Sequence, residues 1–254
     1  MGQGLENVRS LYLEGIAQGN AREAVTRYTG HRYTQHSTGV ADGVEGFLEF
    51  FEPFLERNPK RDISIVRSLE DGPWVWVSAF QSLNDGEAKW VTMDLFYTDP
   101  EGLVLEHWDT ILAYEETASG HDMVGGPTGP DLSADTQANK ELVLEFVKQV
   151  LTHGDLSKLD QFVAEDLIQR SPDIPGGREG LANWLGSDAG GSYEFLFKLV
   201  GQGDLVVTYG KRHVAGKDIA VFDLYRIAKG KIVEQWSNPE EIGPRENWGN
   251  SGKF

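Results

Sequence analysis

The hydrophobic pattern of this chain runs through the same succession of elements twice. Each half opens with apolar residues at helical spacing, which predicts an amphipathic helix. These apolar positions are Val8, Leu11, Tyr12 and Ile16 in the first half, and Leu142, Val143, Phe146, Val147, Val150 and Leu151 in the second. Each half then changes to the alternating pattern of β-strands. Helices followed by an antiparallel meander indicate an α+β fold in both halves.

Breaks and turns bound the remaining elements. A second helix follows Asn20 in the first half and Asp155 in the second, and both are suitable N-cap residues. A third helix in the first half carries a run of phenylalanines and ends before Pro59. The predicted strands cover residues 62–69, 73–83, 88–98 and 103–113, and then 193–200, 205–214, 218–227 and 231–238.

The two halves are also alike in sequence. The residues YTQHS at 33–37 return as LIQRS at 167–171, and EHWD at 106–109 returns as EQWS at 234–237. A repeat of this length is a whole domain rather than a solenoid unit of roughly 20–50 residues. A Gly-, Pro- and Thr-rich run between the halves is typical of a linker. We therefore predict domains at 1–115 and 137–254, joined by a linker at 116–136.

The composition narrows the classes of partner. The chain has 254 residues, of which 23 are basic and 40 acidic, and its net charge is -17. Such a surface repels phosphate backbones and anionic lipids, so we expect neither nucleic acid nor a membrane as a partner. The absence of cysteine excludes disulfides, thiol nucleophiles and thiolate metal sites. No signal peptide core and no apolar run of roughly 18 residues is present, so we expect a cytoplasmic protein.

Polar residues gather on one face of the last predicted hairpin of the first half. A loop of two or four residues at 99–102 would place Asp94 directly opposite His107, with Asp109 diagonal to Asp94. Apolar residues such as Trp90 would share that face. A carboxyl group in apolar surroundings has its pKa raised toward the range of a general acid or base, and an imidazole can relay the proton. A bulged turn would shift the register by one residue and undo this placement.

The second half has lost most of these groups. The equivalent pairing puts Asp223 opposite Gln235, and Ser237 stands where the first half has Asp109. The histidine at position 36 is replaced by Arg170. Each change removes a group that exchanges a proton near neutral pH. We therefore expect proton transfer in the first half alone.

Two other interpretations of the polar cluster stay open. Asp109 and His107 could form a satisfied polar pair at a strand end with no catalytic role. His36, Asp94, His107 and Asp109 are of types that bind metals, but their spacing matches no metal motif, so we expect no metal. No phosphate-loop signature is present either, and we expect no cofactor.

At these residues the chain resembles the SnoaL-like polyketide cyclases of the nuclear transport factor 2-like superfamily, and within them the subgroup described as predicted aldol-condensing enzymes. The pattern is Tyr-x-Gln-His, then Asp-Gly-x-Glu-x-Phe, then a strand with Glu-His-Trp-Asp. The first half carries every position: Tyr33, Gln35, His36, Asp42, Gly43, Glu45, Phe47, Glu106, His107, Trp108 and Asp109. The resemblance implies two cone-shaped α+β barrels, each a curved antiparallel sheet around helices with a pocket in its mouth. Members usually dimerise, so we expect the halves to pack as an internal pseudo-dimer, with a homodimer also open.

The resemblance also implies a reaction. In the cyclases the acid of the last strand is the general acid/base of an intramolecular aldol closure without metal or cofactor, and that position here is Asp109. We expect Asp109 to take a proton α to the carbonyl of a small apolar compound, with Asp94 orienting His107. Gln35, His36 and His107 would hold the enolate. The expected substrate contacts are Gln35, Trp90, Tyr33 and Phe96.

A second class of function stays open from the sequence. The chain could be a non-catalytic small-molecule binding module, or an accessory protein of a biosynthetic pathway. Water addition, as in the superfamily's epoxide hydrolases, would need an Asp–Arg–Asp set that the first half does not show.

Overall fold

The computed structural model describes residues 2–254, and these divide into two compact units. The first unit consists of the residues up to Ala113 together with Ile242–Phe254, and the second is Tyr114–Glu241. The expected second domain ran to residue 254, and this is a correction. Residues 242–254 belong to the first unit, because their polar groups form hydrogen bonds there.

The first unit contains three helices and five strands. Helix α1 (Gln3–Ser10) continues with π-helical geometry over Leu11–Ala17 and is followed by α2 (Ala21–Tyr28), β1 (Thr29–Gln35) and α3 (Gly43–Arg57). The remaining strands are β2 (Arg61–Asp71), β3 (Trp74–Leu83), β4 (Ala88–Thr98) and β5 (Val104–Ala113). Short 3-10 turns lie at Asn84–Gly86 and Arg245–Asn247.

The second unit repeats this order. Helix α4 (Thr136–Phe146) continues with π-helical geometry over Val147–Thr152, and a 3-10 turn (Leu156–Lys158) leads into α5 (Leu159–Phe162), β6 (Val163–Gln169) and α6 (Gly177–Leu185). The meander is β7 (Ser192–Gln202), β8 (Leu205–Val214), β9 (Lys217–Ala228) and β10 (Lys231–Glu241). Asn20 and Asp155 precede helices as expected, but neither side chain forms a capping hydrogen bond with its helix.

Each unit is built on one five-stranded sheet. The strand order is β1-β5-β4-β3-β2 in the first and β6-β10-β9-β8-β7 in the second. The meander strands pair antiparallel, whereas β1 and β6 pair parallel with the last strand of their unit. The sequence pattern did not predict β1 and β6. Only three of the seven β1 residues are buried, so the strand lacks a long hydrophobic alternation.

Helices cover one face of each sheet and form the core with it. In the first unit Val8, Val25 and Phe47 are at most 2% exposed and pack with Val77 and Phe96 of the sheet. Burying a side chain of this size contributes about 1.5–3 kcal/mol. The second unit has an equivalent core around Val143, Phe146 and Tyr225. No helix among the described residues has both the length and the apolar character needed to cross a membrane.

The register between β4 and β5 differs from the prediction by two residues. Asp99 N–H donates to Leu103 O, which makes a three-residue loop that ends with Gly102 at φ 83°. This loop shifts the register by one residue. Leu105 then has no cross-strand partner, and this bulge shifts it by one more. Asp94 therefore faces Asp109 rather than His107. Because the two shifts add up to two residues, the side chains of Asp94, His107 and Asp109 all stay on the predicted face.

The second unit reaches the same register through a different turn. Lys229 and Gly230 form a two-residue turn with φ values of 51° and 72°. Val233 is the bulged residue of β10. Asp223 consequently faces Ser237 rather than the predicted Gln235.

Candidate active site

A cavity of about 430 Å³ lies between the helices and the sheet of the first unit. This volume is within the roughly 300–1,000 Å³ of small-molecule pockets. Most of its lining is aromatic or aliphatic, including Leu11, Ile16, Tyr33, Phe47, Phe50, Phe51, Phe54, Trp90, Phe96 and Ile111. Phe50, Trp90 and Ile111 are more than one-third exposed and form its rim. The cavity suits a small, mostly apolar molecule.

Three ionisable side chains meet at the buried end of the cavity. Asp94 on β4 and Asp109 on β5 are directly opposed, and they are only 4% and 7% exposed. His107 Nε2 lies 3.0 Å from Asp94 Oδ1. Its Nδ1 lies 2.9 Å from Gln35 Oε1, because β1 runs beside β5 and pairs Gln35 with His107. These side chains line the cavity together, as the sequence predicted.

A line of hydrogen bonds reaches Asp94 from the other side. Gln81 Nε2 donates to the Tyr12 hydroxyl at 3.1 Å, and the Tyr12 and Thr92 hydroxyls are 2.7 Å apart. Thr92 Oγ1 donates to Asp94 Oδ2 at 2.8 Å. Asp94 thus has a hydrogen-bond partner on each carboxyl oxygen. The sequence interpretation missed this line, although Thr92 stands two residues from Asp94 on the same face.

Burial and charge act differently on the two acids. Burial raises the pKa of Asp94, and the charge of Asp109 adds to the rise, while His107 and Thr92 oppose it. Burial would also raise the pKa of Asp109, but the Lys253 ammonium and His107 outweigh it and hold that pKa below its usual value. The expectation of a raised pKa is therefore wrong for Asp109, the residue expected to act as the base. The expectation of a raised pKa is right for Asp94.

Lys253 is another residue of this cluster that sequence reasoning missed. Its Nζ donates to Asp109 Oδ1 at 3.0 Å and to the Asp109 backbone oxygen at 2.8 Å, and the side chain is 1% exposed. The segment that carries it is tied to the loop after β1. Gly249 N–H donates to Thr38 O, and the Asn250 side-chain amide donates to Ser37 O and Val40 O.

His36 was expected among the catalytic residues, but the structure does not bring it to the cluster in the cavity. Its ring does not line the cavity but stacks on Trp108 with centroids 4.4 Å apart. Nδ1 lies 2.8 Å from Gly252 O, and Nε2 lies 3.3 Å from Glu106 Oε2. Side chains alternate along an extended chain, so Gln35 points into the cavity and His36 points away. His36 helps to hold the segment that carries Lys253.

The expected substrate contacts all line the cavity. They are Gln35, Tyr33, Trp90 and Phe96. Phe96 also stacks on His107, with ring centroids 4.5 Å apart. Asp94, His107 and Asp109 each offer a ligand atom within 4.8 Å of the others, a spacing that a metal ion could bridge. A cation there would displace Lys253 from Asp109 or compete with the Asp94–His107 contact.

The second unit has a cavity of about 220 Å³ at the same place in its sheet. Asp223, Gln235 and Ser237 line it in place of Asp94, His107 and Asp109. Gln235 Nε2 donates to Asp223 Oδ1 at 3.2 Å, so the acid keeps one amide partner. The imidazole and the second carboxyl group of the first site are absent here.

Among known proteins, the likeness of this chain is one of three-dimensional structure. No protein-family model and no curated protein matches it. It is similar to a candidate polyketide cyclase of Bacillus cereus ATCC 10987, at 15% identity over 43% of this chain and 74% of that one, with a TM-score of 0.39. A candidate SnoaL-like polyketide cyclase of Jannaschia sp. CCS1 matches at 23% identity, over 43% and 85%, with a TM-score of 0.37.

A candidate ketosteroid isomerase of Kribbella flavida DSM 17836 matches at 14% identity, over 44% of this chain and 85% of that one, with a TM-score of 0.39. Each match therefore covers less than half of this chain and most of the other protein. At these identities and TM-scores, no residue role is carried over from them.

Proposed function

We propose that the first unit is a cofactor-independent acid/base catalyst of the cyclase or isomerase kind, acting on a small apolar carbonyl compound. One observation carries the proposal. The Asp109 carboxylate, which pairs with the Lys253 ammonium, faces the buried carboxyl group of Asp94. Asp94 contacts the His107 imidazole, and both acids line an apolar cavity. Paired acids in different environments are the usual arrangement for proton transfer, because one can be ionised while the other holds a proton.

Asp109 takes the first proton. Its pairing with Lys253 favours the ionised form, which is the form that accepts a proton. The C–H bond α to the carbonyl breaks, the proton moves to a carboxylate oxygen, and the electron pair moves to the carbonyl oxygen as an enolate. The apolar lining keeps water away from that charge, so that the nearby donors act in a medium of low dielectric constant.

The Asp94–His107 pair and Gln35 then hold the enolate oxygen. Burial raises the pKa of Asp94, which favours a proton shared between its carboxyl group and His107. That proton and the Gln35 amide are the donors available to the enolate. The enolate carbon attacks a second carbonyl in a cyclase, and the new alkoxide takes the proton from Asp109. In an isomerase, Asp109 returns the proton to a different carbon.

Exchange of α-hydrogens for deuterium tests the first step without knowledge of the product. Small apolar ketones in D₂O would be followed by ¹H NMR with wild type, Asp109→Asn and Asp223→Asn. We expect Asp109→Asn to slow exchange by about 10²–10⁴-fold, the usual contribution of a general base. Asp223→Asn, which changes the counterpart acid of the second unit, should leave the exchange rate unchanged.

Binding is measured in parallel by ligand-induced shifts of the melting temperature. If Asp109→Asn keeps the wild-type shift but loses exchange, the enzyme interpretation holds. If ketones shift the melting temperature of wild type but no ketone exchanges, the first unit is a binding module.

A further inference from the structure

The segment 242–254 supplies a charge to the candidate site of the other half of the sequence. Lys253 and Asp109 are 144 residues apart along the chain, yet the ammonium contacts both the carboxylate and the backbone oxygen of Asp109. The lysine is 1% exposed. A buried ammonium is costly unless it is paired, and the Asp109 carboxylate offsets part of that cost.

The two units exchange the segments that follow their last strands. Residues after β5 belong to the second unit, and residues after β10 belong to the first. The contacts also correspond. Gly249 N–H donates to Thr38 O in the first unit, and Ala118 N–H donates to Pro172 O in the second.

Each exchanged segment also contacts the residue that follows the first strand of its unit. His36 contacts the backbone oxygen of Gly252, and its counterpart Arg170 donates to the backbone oxygen of Asp122 at 2.8 Å. The second unit has Ser237 at the position of Asp109, so it lacks the acid of the ion pair.

We propose that Lys253 is a positioning residue of the candidate active site, which fixes the orientation and the charge of the Asp109 carboxylate. The segment 242–254 thereby completes the site of the first unit. The catalytic meaning of this assignment rests on the proposed function, whereas the control of Asp109 by Lys253 does not.

Other ionisable groups also face Asp109. Asp94 lies opposite it on β4, and His107 precedes it by two residues on β5. The buried hydroxyls of Tyr12, on the π-helical continuation of α1, and of Tyr33, on β1, also face it. His107 lowers the pKa of Asp109 in the same direction as Lys253. A test must therefore separate the lysine from the histidine.

Titration of the Asp109 carboxyl carbon by ¹³C NMR makes that separation. The signal is assigned by its loss in Asp109→Asn, and is followed in wild type, Lys253→Met, Lys253→Arg and His107→Gln. We expect Lys253→Met, which removes the positive charge but keeps an unbranched side chain, to reduce the acid dissociation constant of Asp109 by about 10- to 1,000-fold. Lys253→Arg keeps the positive charge, so the acid dissociation constant of Asp109 should stay close to its wild-type value. An unchanged Asp109 titration in folded Lys253→Met overturns the proposal.

If Lys253→Met does not fold, the titration of Asp109 in wild type still tests the proposal. Asp109 must titrate below the usual aspartate value of about 3.9, and a midpoint at or above that value rejects the proposal. Deuterium exchange of a ketone is measured on the same variants. If the Asp109 midpoint moves as expected while wild type exchanges no ketone, the proposed function fails and the role of Lys253 stands. If wild type exchanges ketones and the Asp109 midpoint does not move in Lys253→Met, the proposed function stands and the role of Lys253 fails.

Discussion

The first unit surrounds its buried acid with proton-exchanging partners, whereas the second unit keeps the acid and replaces the partners. Asp94 and Asp223 occupy the same position of their sheets, and burial raises the pKa of both carboxyl groups. That rise is therefore a property of the fold, since both cavities impose it. The ion pair of Asp109 with Lys253 belongs to the first unit alone. The two units therefore differ in the partners of the buried acid rather than in the acid itself.

The groups beyond the acid differ as well. The Thr92 hydroxyl that donates to Asp94 is replaced by Val221, and the sheet register puts Arg212 where the first unit has Gln81. Arg212 stacks over the Trp184 ring at 4.5 Å and donates to Ala189 O. The second cavity has about half the volume of the first. It thus combines a guanidinium group with a smaller space, so we expect it to select different ligands.

A large loss of stability is expected when one member of the Asp109–Lys253 ion pair is removed. Lys253→Met or Asp109→Ser alone leaves a buried charge without its partner, which should cost about 3–5 kcal/mol of unfolding free energy. The double variant Lys253→Met/Asp109→Ser leaves no such charge, and we expect it to be more stable than either single variant. Urea unfolding followed by NMR signals of β5 reports on the first unit.

The same three variants can contradict this expectation. If the costs of the two single variants simply add in the double variant, the two side chains do not stabilise each other. The Asp109 carboxylate would then contribute nothing to holding Lys253 in place.

A smaller effect is expected from the hydroxyl beside Asp94. Thr92→Val, which copies Val221, removes a donor from a buried carboxyl group and should cost about 1–3 kcal/mol at neutral pH. That donor lowers the pKa of Asp94, so its loss raises the folded-state value further. A group with a raised folded pKa loses stability as pH rises through that value. The cost of Thr92→Val should therefore be larger at pH 7 than at pH 4.

Thr110→Val is the matched control for that variant. Thr110 is on the neighbouring strand and fully buried, but its hydroxyl has no hydrogen-bond partner among the described residues. We expect Thr110→Val to be neutral or stabilising at both pH values, because it removes a buried polar group that has no bond to lose. An equal, pH-independent cost for the two variants would show that Thr92 acts by packing alone.

Elements with a local signal were predictable from the sequence. The predicted bounds of β4 and β8 agree with the structure, since alternation and flanking turns are contained in those segments. The parallel strands β1 and β6 were missed because their stability comes from pairing with strands far along the chain. The shared face of Asp94, His107 and Asp109 was predicted, but their register was not. It depends on a three-residue loop and a bulge, which hydrophobic alternation does not encode.

The partner of Asp109 could not be chosen from the sequence. A buried carboxylate calls for a cation or several donors, and that physical signal was available. The chain has 23 basic residues, however, and no local pattern shows which one the fold brings to position 109. The segment that carries Lys253 is rich in glycine and polar residues, which is typical of a loop. Its path onto the first unit is set by long-range hydrogen bonds to the loop after β1.

The smallest expected effect concerns the turns by which the two units reach one register. The turn of the second unit has positive φ at both Lys229 and Gly230, which suits Asn-Gly better than Lys-Gly. Lys229 is exposed, so Lys229→Asn relieves an unfavourable backbone conformation without removing a buried contact. We expect a gain of about 0.5 kcal/mol, the usual size of a surface effect, measured by urea unfolding followed at β9 amide signals. A loss of stability would mean that the two-residue turn is not formed. The alignment of Asp223 with Ser237, on which the likeness of the two cavities depends, would then be wrong as well.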